Sequence, residues 1–230
     1  HPQHGRVTLT RNPSDPPPAV GALVVLEGIE VEPSGVVRVA RWRVAGEQPG
    51  IDDPVLVEPV IAGVEFRYVE RTEPTTMLMD CTLAPRLHRL ALLVQEYGID
   101  EIVHIGIYNY RCIGGGDPGT GCTPSQHAYA RAIDLHEFND RAGGASYNVE
   151  TDWVISDAEE VCPGRPRDDT DRVLHEIACR LWSDDIFHIV LTPDYNADHR
   201  NHFHVDITPG ADFIGESVTG VDPILPGLGD

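Results

Sequence analysis

No apolar run in this chain approaches the roughly 18 residues of a membrane-spanning helix, so the sequence reads as having no transmembrane segment. Basic residues are scarce: 17 Lys and Arg stand against 37 Asp and Glu, a net charge of −20 at pH 7. Nucleic-acid binding needs a cationic surface for the phosphates, so this balance argues against it. It argues equally against docking on bare anionic lipid. A cationic partner would suit such a surface, but solubility alone accounts for it. Aromatic residues are few, at 7%, while hydrophobic residues reach 41%, as in an ordinary globular protein. The five cysteines (Cys81, Cys112, Cys122, Cys162 and Cys179) include no pair at zinc-ribbon spacing, which disfavours structural zinc. No charged-then-apolar leader precedes the domain, and a removed signal peptide and an omitted one both fit.

What is present is a chain of 230 residues, enough for one large domain or a domain with an appendage. Its first eighty residues read as β-structure. Leu23 to Val31 and Val36 to Val44 are Val-rich runs around Pro33-Ser34-Gly35, a hairpin turn, and Val55 to Ile61 and Val64 to Val69 are further strands. The pattern changes near Cys81. Leu83, Leu87, Leu90, Ala91 and Val94 recur at helical spacing, with Pro85 in the first turn and Gly98 as terminator. Ile102 to Ile107 and Ala132 to Leu135 read as strands. A second helix is expected around Val173, Leu174, Ile177, Ala178 and Leu181, entered through acidic Asp168 to Asp171. Phe187 to Leu191 and His202 to Ile207 supply the last strands. This mixed order points to an α+β fold. The Gly- and Pro-rich stretch holding Cys112 and Cys122 resembles a loop closed by a disulfide, which favours an oxidising compartment with one thiol left over. The expected divisions are a β-rich region over 1–75, a main domain over 76–212 and an irregular tail over 213–230.

The chemistry concentrates in two segments. His127 and Asp134 lie in Ser125-Gln126-His127-Ala128-Tyr129-Ala130-Arg131-Ala132-Ile133-Asp134, and His199-Arg200-Asn201-His202-Phe203-His204-Val205-Asp206 follows later. Two imidazoles, one carboxylate and spare histidines are the parts of a catalytic zinc site, which takes three protein ligands and leaves one position open. His202, His204 and Asp206 alternate along a strand and share one face. In one straight helix His127 and Asp134 would be separated by about 10 Å, too far to converge, so His127 belongs on a loop running into a strand that carries Asp134. A lone His-x-His is as readily a solvated strand pair; the additional His199 and the earlier His/Asp pair give it meaning. Other divalent transition metals would also accept this donor set.

The remaining candidates are weaker. His136 is either an outer support of the site or an ordinary strand histidine. His88 and His175 fall on helices, His104 and His188 in apolar strands as core histidines, and His1 and His4 are terminal. The carboxylate pairs Asp152/Asp157 and Asp184/Asp185 lack a frame for glycoside cleavage. Ser125 has no Gly-x-Ser-x-Gly elbow. Gly114-Gly115-Gly116 lacks the lysine of a phosphate loop. None of the cysteines comes with a base.

Ser-x-His-x6-Asp followed by His-x-His resembles the LAS group of zinc metallopeptidases, which includes D-Ala-D-Ala metallopeptidases and lysostaphin-type endopeptidases. Within it the chain is most similar to bacterial extensin-like C-terminal domain proteins, over Cys81 to Ile207. Tyr110-Arg111, Cys179 and Thr192-Pro193-Asp194-Tyr195-Asn196 belong to that likeness, and His199-x2-His202-x-His204 looks like penicillin-insensitive murein endopeptidases. The resemblance implies a small antiparallel sheet core with flanking helices, here with an N-terminal β-rich extension. It implies zinc on His127, Asp134 and His204, His202 as general base, and His199 orienting or stabilising the tetrahedral intermediate. Arg111 would clamp substrate charge or the oxyanion, and Ser125 would shape the pocket. The implied protein is a secreted, periplasmic or cell-envelope hydrolase of amide bonds in peptidoglycan peptides. Two departures stand out. Ala130 replaces an expected glycine, and Asn201 stands where the D-Ala-D-Ala branch carries an acidic base. They leave open a zinc-bearing envelope binding module without turnover, as hedgehog signalling domains illustrate, and a peptidase acting on proteins.

Overall fold

The computed structural model describes residues 24–31, 37–44, 48–155 and 162–215. β1 (Val24–Val31) and β2 (Val37–Val44) form an antiparallel pair with Val31 opposite Val37. The turn expected at Pro33-Ser34-Gly35 lies outside the described residues. The single strand expected over Val55 to Ile61 is instead two strands in different sheets. β3 (Pro54–Val57) runs parallel to β1, whereas β4 (Val60–Ile61) folds back on β5 (Val64–Tyr68). Pro59 between them has no N–H for a ladder. Ala62 and Gly63, with φ of 49° and 87°, then make the tight turn into β5. β6 (Met77–Asp80) completes a four-stranded sheet in the order β2-β1-β3-β6.

The second sheet carries the chemistry. After α1 (Ala84–Gln95) come β7 (Glu101–Gly106), β8 (Ala132–Asn139), β9 (Ser146–Asn148) and the short α2 (Val149–Asp152). α3 (Asp169–Ser183), β10 (Ile189–Leu191), β11 (Phe203–Asp206) and β12 (Phe213–Gly215) follow. Eight strands assemble in the order β12-β10-β11-β8-β7-β5-β4, with β9 on β8. The fold is α+β, but this sheet is larger than expected and mixed, because β5 with β7 and β10 with β12 are parallel.

Both long helices bury the stripes that their periodicity announced. α1 buries Leu87, Leu90, Ala91, Leu93 and Val94, and Gly98 follows with φ of 76°. α3 starts at Asp168, whose carboxylate accepts the Asp171 N–H at 3.0 Å, and buries Val173, Leu174, Ile177, Ala178 and Leu181. Strands from before and after residue 75 share one core. β3 pairs with β6 and β5 with β7 across that position, and Val55 and Phe66 join Leu87, Ile102 and Phe203 in one cluster. Two disulfides form, Cys112–Cys122 and Cys162–Cys179, leaving Cys81 as the free thiol. Among the described residues no helix is long and apolar enough to cross a membrane.

Candidate metal centre

Three donors reach one point from three chain segments. On β8, Ile133 and Leu135 enter the core, so Asp134 between them projects from the other face. β11 treats His204 the same way, between buried Phe203 and Val205. These strands pair antiparallel with His204 opposite Asp134. His127 arrives from a 3-10 turn, Gln126–Tyr129, just ahead of β8. The Ser125 hydroxyl caps that turn by accepting the His127 N–H at 3.2 Å, and Ala130 closes it in the left-handed region at φ 53°. Only glycine fits at Gly50 (φ 84°), where a Cβ would collide with the Ala128 carbonyl of this turn.

The inner atoms form a nearly equilateral triangle. His127 Nε2 lies 3.1 Å from Asp134 Oδ1 and 3.1 Å from His204 Nδ1, and the latter two are 3.0 Å apart. Around a tetrahedral ion bound at about 2.0–2.1 Å, donors sit roughly 3.3 Å from one another, so small adjustments admit one. The outer ring nitrogens are already committed. His127 Nδ1–H donates to the Ile107 carbonyl at 2.9 Å, and His204 Nε2–H donates to Asp206 Oδ2 at 3.1 Å. Such partners fix ring orientation and tautomer in metal-binding histidines. With those protons turned outward, two lone-pair nitrogens and a carboxylate oxygen converge inward. A proton or a metal cation between them relieves their mutual repulsion, and the donor set fits zinc.

Electrostatics point the same way. Burial opposes charge on Asp134, yet hydrogen bonds with His127 and His204 hold its carboxyl well below the usual range. Burial also disfavours charge on His204, but Asp134 and Asp206 outweigh it and push that imidazole up to about 10. A proton and a metal ion compete for the same lone pair in this negative field.

Two further histidines stand beside the triangle. His202 Nε2 is 3.5 Å from Asp134 Oδ1, and its Nδ1–H donates to Asn201 Oδ1 at 2.8 Å. His199, on the turn Ala197–His199, donates from Nδ1 to Asn196 Oδ1 at 2.6 Å, with its ring 5.2 Å from that of His202. Burial lowers His202 to about 4 and His199 to about 3, so both are neutral at pH 7. His136 follows Asp134 on the same face of β8 and donates to the Asn201 backbone carbonyl at 2.6 Å, pinning the segment that carries His202.

Residues 32–213 match the family model described as the extensin-like protein C-terminus. The chain belongs to this family. No curated protein and no solved structure matches it.

The extensin-like domain opens a cleft of about 590 Å³ beside the triangle, lined among others by Tyr68, Arg71, His104, Arg111, His127 and Asp134. Arg111 immediately precedes the loop closed by Cys112–Cys122. The flanks of that loop are stitched to the His127 turn, since Ser125 N–H donates to the Arg111 carbonyl and Asn109 N–H to the His127 carbonyl. Of the residues singled out from sequence, His127, Asp134, His204, His202 and His199 thus come together, with Arg111 at the cleft. Ser125 is buried and shapes the site as the cap of the His127 turn. Sequence reasoning overlooked Asn196 and Asn201 as orienting groups. A side-chain amide next to, or three residues before, each spare histidine was the available signal. The histidines assigned elsewhere behave differently: His175 stacks on Trp153 at 3.9 Å, and His188 donates to the Thr208 carbonyl at 2.8 Å.

Proposed function

We propose that this extensin-like domain is a zinc-dependent peptidase that hydrolyses amide bonds in peptidoglycan peptides outside the cytoplasm. The convergence of His127, Asp134 and His204 on one point, their outer nitrogens already engaged, carries the reading. The LAS resemblance supplies the substrate class, and two disulfides suit an oxidising compartment. A zinc ion held there supplies Lewis acidity and lowers the pKa of water toward neutrality. His202, its Nδ1–H held by Asn201, keeps the Nε2 lone pair toward Asp134 and accepts a proton there. Asn201 is accordingly not the base but the group that orients it. His199, neutral and held by Asn196, steadies the developing tetrahedral centre, and Arg111 offers a guanidinium to substrate or oxyanion charge.

Elemental analysis of metal-replete protein should find one zinc per chain, and incubation with purified muropeptides should release chelator-sensitive fragments. His202→Ala should retain zinc and lose at least ~100-fold in rate, the usual contribution of a general base. Asn201→Ala should also retain zinc, with a smaller loss that Asn201→Asp recovers in part. An unchanged muropeptide profile with fully loaded protein refutes the peptidase reading. The amide at Asn201, in place of an acid, favours a second reading in that event: an envelope module that binds ligand through zinc without turnover.

A further inference from the structure

His104 is buried, 6% exposed, and its Nδ1 has no hydrogen-bond partner among the described residues. Buried polar groups are almost always paired, so an orphaned imidazole nitrogen on the wall of a cleft calls for a partner from outside the chain. The backbone around it is built for the purpose. Register shifts flank His104 on both sides of β7, between Val103 and His104 and between His104 and Gly106. Bulges of this kind re-aim side chains beside functional sites. Tyr68 pairs with His104 across β5 and β7, its ring 5.8 Å away. Arg71 follows on the turn after β5, where its N–H donates to the Tyr68 carbonyl and its own carbonyl accepts from Arg67.

Charge indicates what the cleft takes. Acidic residues outnumber basic ones 37 to 17, and among the described residues seven arginines have a carboxylate partner. Arg71 and Arg111 are among the arginines without such a pair in the described residues, and both line this cleft. Two guanidinium groups without a carboxylate partner and an unpaired imidazole suit an anion, and guanidinium–carboxylate pairing is a strong, directional contact. Burial keeps His104 neutral at pH 7, and among the described residues no protein group takes up its Nδ1.

We propose that Tyr68, Arg71 and His104 form a substrate subsite for a carboxylate, its oxygens accepting from the Arg71 guanidinium and His104 Nδ1–H while Tyr68 packs alongside. The site lies one strand step from the reacting position. Gly106 pairs with Asp134, and His104 is two residues earlier, roughly 6–7 Å along β7. The carboxylate bound there therefore belongs to a side chain or residue near, but not at, the scissile amide. This inference rests on the peptidase reading for the kind of ligand, and binding tests it without turnover.

The probes are a peptidoglycan stem tetrapeptide with free carboxylates and the same peptide fully amidated, titrated calorimetrically into zinc-loaded full-length protein. The parent should prefer the carboxylate form by about 10-fold or more. Arg71→Gln, at an exposed position, and His104→Leu should each abolish most of that preference, with zinc content unchanged. Equal affinity of the parent for both peptides, or a preference that survives in zinc-replete Arg71→Gln, overturns the subsite. Preference without any cleavage leaves the subsite standing and sinks only the peptidase reading.

Discussion

His104 and Ala130 show what single residues concede to place this site. A non-glycine residue at φ 53° is held against its own preference, which costs on the order of 1 kcal/mol, and Ala130 is fully buried there as the hinge from the His127 turn into β8. His104 carries a different penalty. Its imidazole is buried, and desolvation lowers it to about 4 from an ordinary value of 6.5. Above pH 6.5 the group is neutral whether folded or unfolded and contributes no pH dependence. Between 6.5 and 4 the unfolded chain binds a proton that the folded chain refuses, so stability falls as pH falls. The loss attributable to this residue reaches about 3 kcal/mol near pH 4. Urea denaturation across that range should therefore show a shallower pH slope for His104→Leu than for the parent. Parallel slopes would remove the desolvation argument.

At the scale of elements, the alternation of β8 and β11 was readable directly, because Ile133/Leu135 and Phe203/Val205 leave Asp134 and His204 on the opposite face. α1 and α3 were equally legible from their apolar stripes. Two features were not. The break at Glu58-Pro59 is a change of sheet, and local hydropathy does not reveal which neighbour a strand will choose. The register that sets His204 against Asp134 joins segments about 70 residues apart, so it is a property of the assembled sheet. The site's donors were visible as residue types; the Ile107 carbonyl that holds His127 was not, since a backbone carbonyl carries no sequence signature. The loop between Cys112 and Cys122 was foreseen, and the structure adds its purpose. Its flanks join Arg111 to Ser125 and thereby to the His127 turn. A ring of that length contributes about 3 kcal/mol by limiting the unfolded chain. The double variant Cys112→Ser/Cys122→Ser should lose about 2–4 kcal/mol in chemical denaturation and bind zinc more weakly, read by competition with a chromogenic chelator. Unchanged zinc affinity would show that the loop does not organise the turn.

For the molecule as a whole, the cations are all arginine, for the sequence contains no lysine, and they bind the acidic surface together across elements. Arg180 of α3 reaches Glu96 at the end of α1, Arg67 of β5 pairs with Glu101 of β7, and Arg131 before β8 reaches Asp80 at the end of β6 and Asp52. The pairs with exposed carboxylates, Arg180–Glu96 and Arg131–Asp52, add little stability each, as surface ion pairs do. All these pairs leave a marked excess of negative charge, which draws a divalent cation toward a site already made of a carboxylate and two oriented imidazoles. Because the three donors come from a turn, β8 and β11, the unfolded chain has no comparable site, and ion binding is linked to the global transition. At free zinc about 100 times the dissociation constant, the folded state gains roughly 2.7 kcal/mol. Thermal melts should then move upward with added zinc, return to the apo value with chelator, and lose this response in His204→Ala. A melting temperature indifferent to zinc in the parent protein would mean that the triangle of donors does not hold the ion.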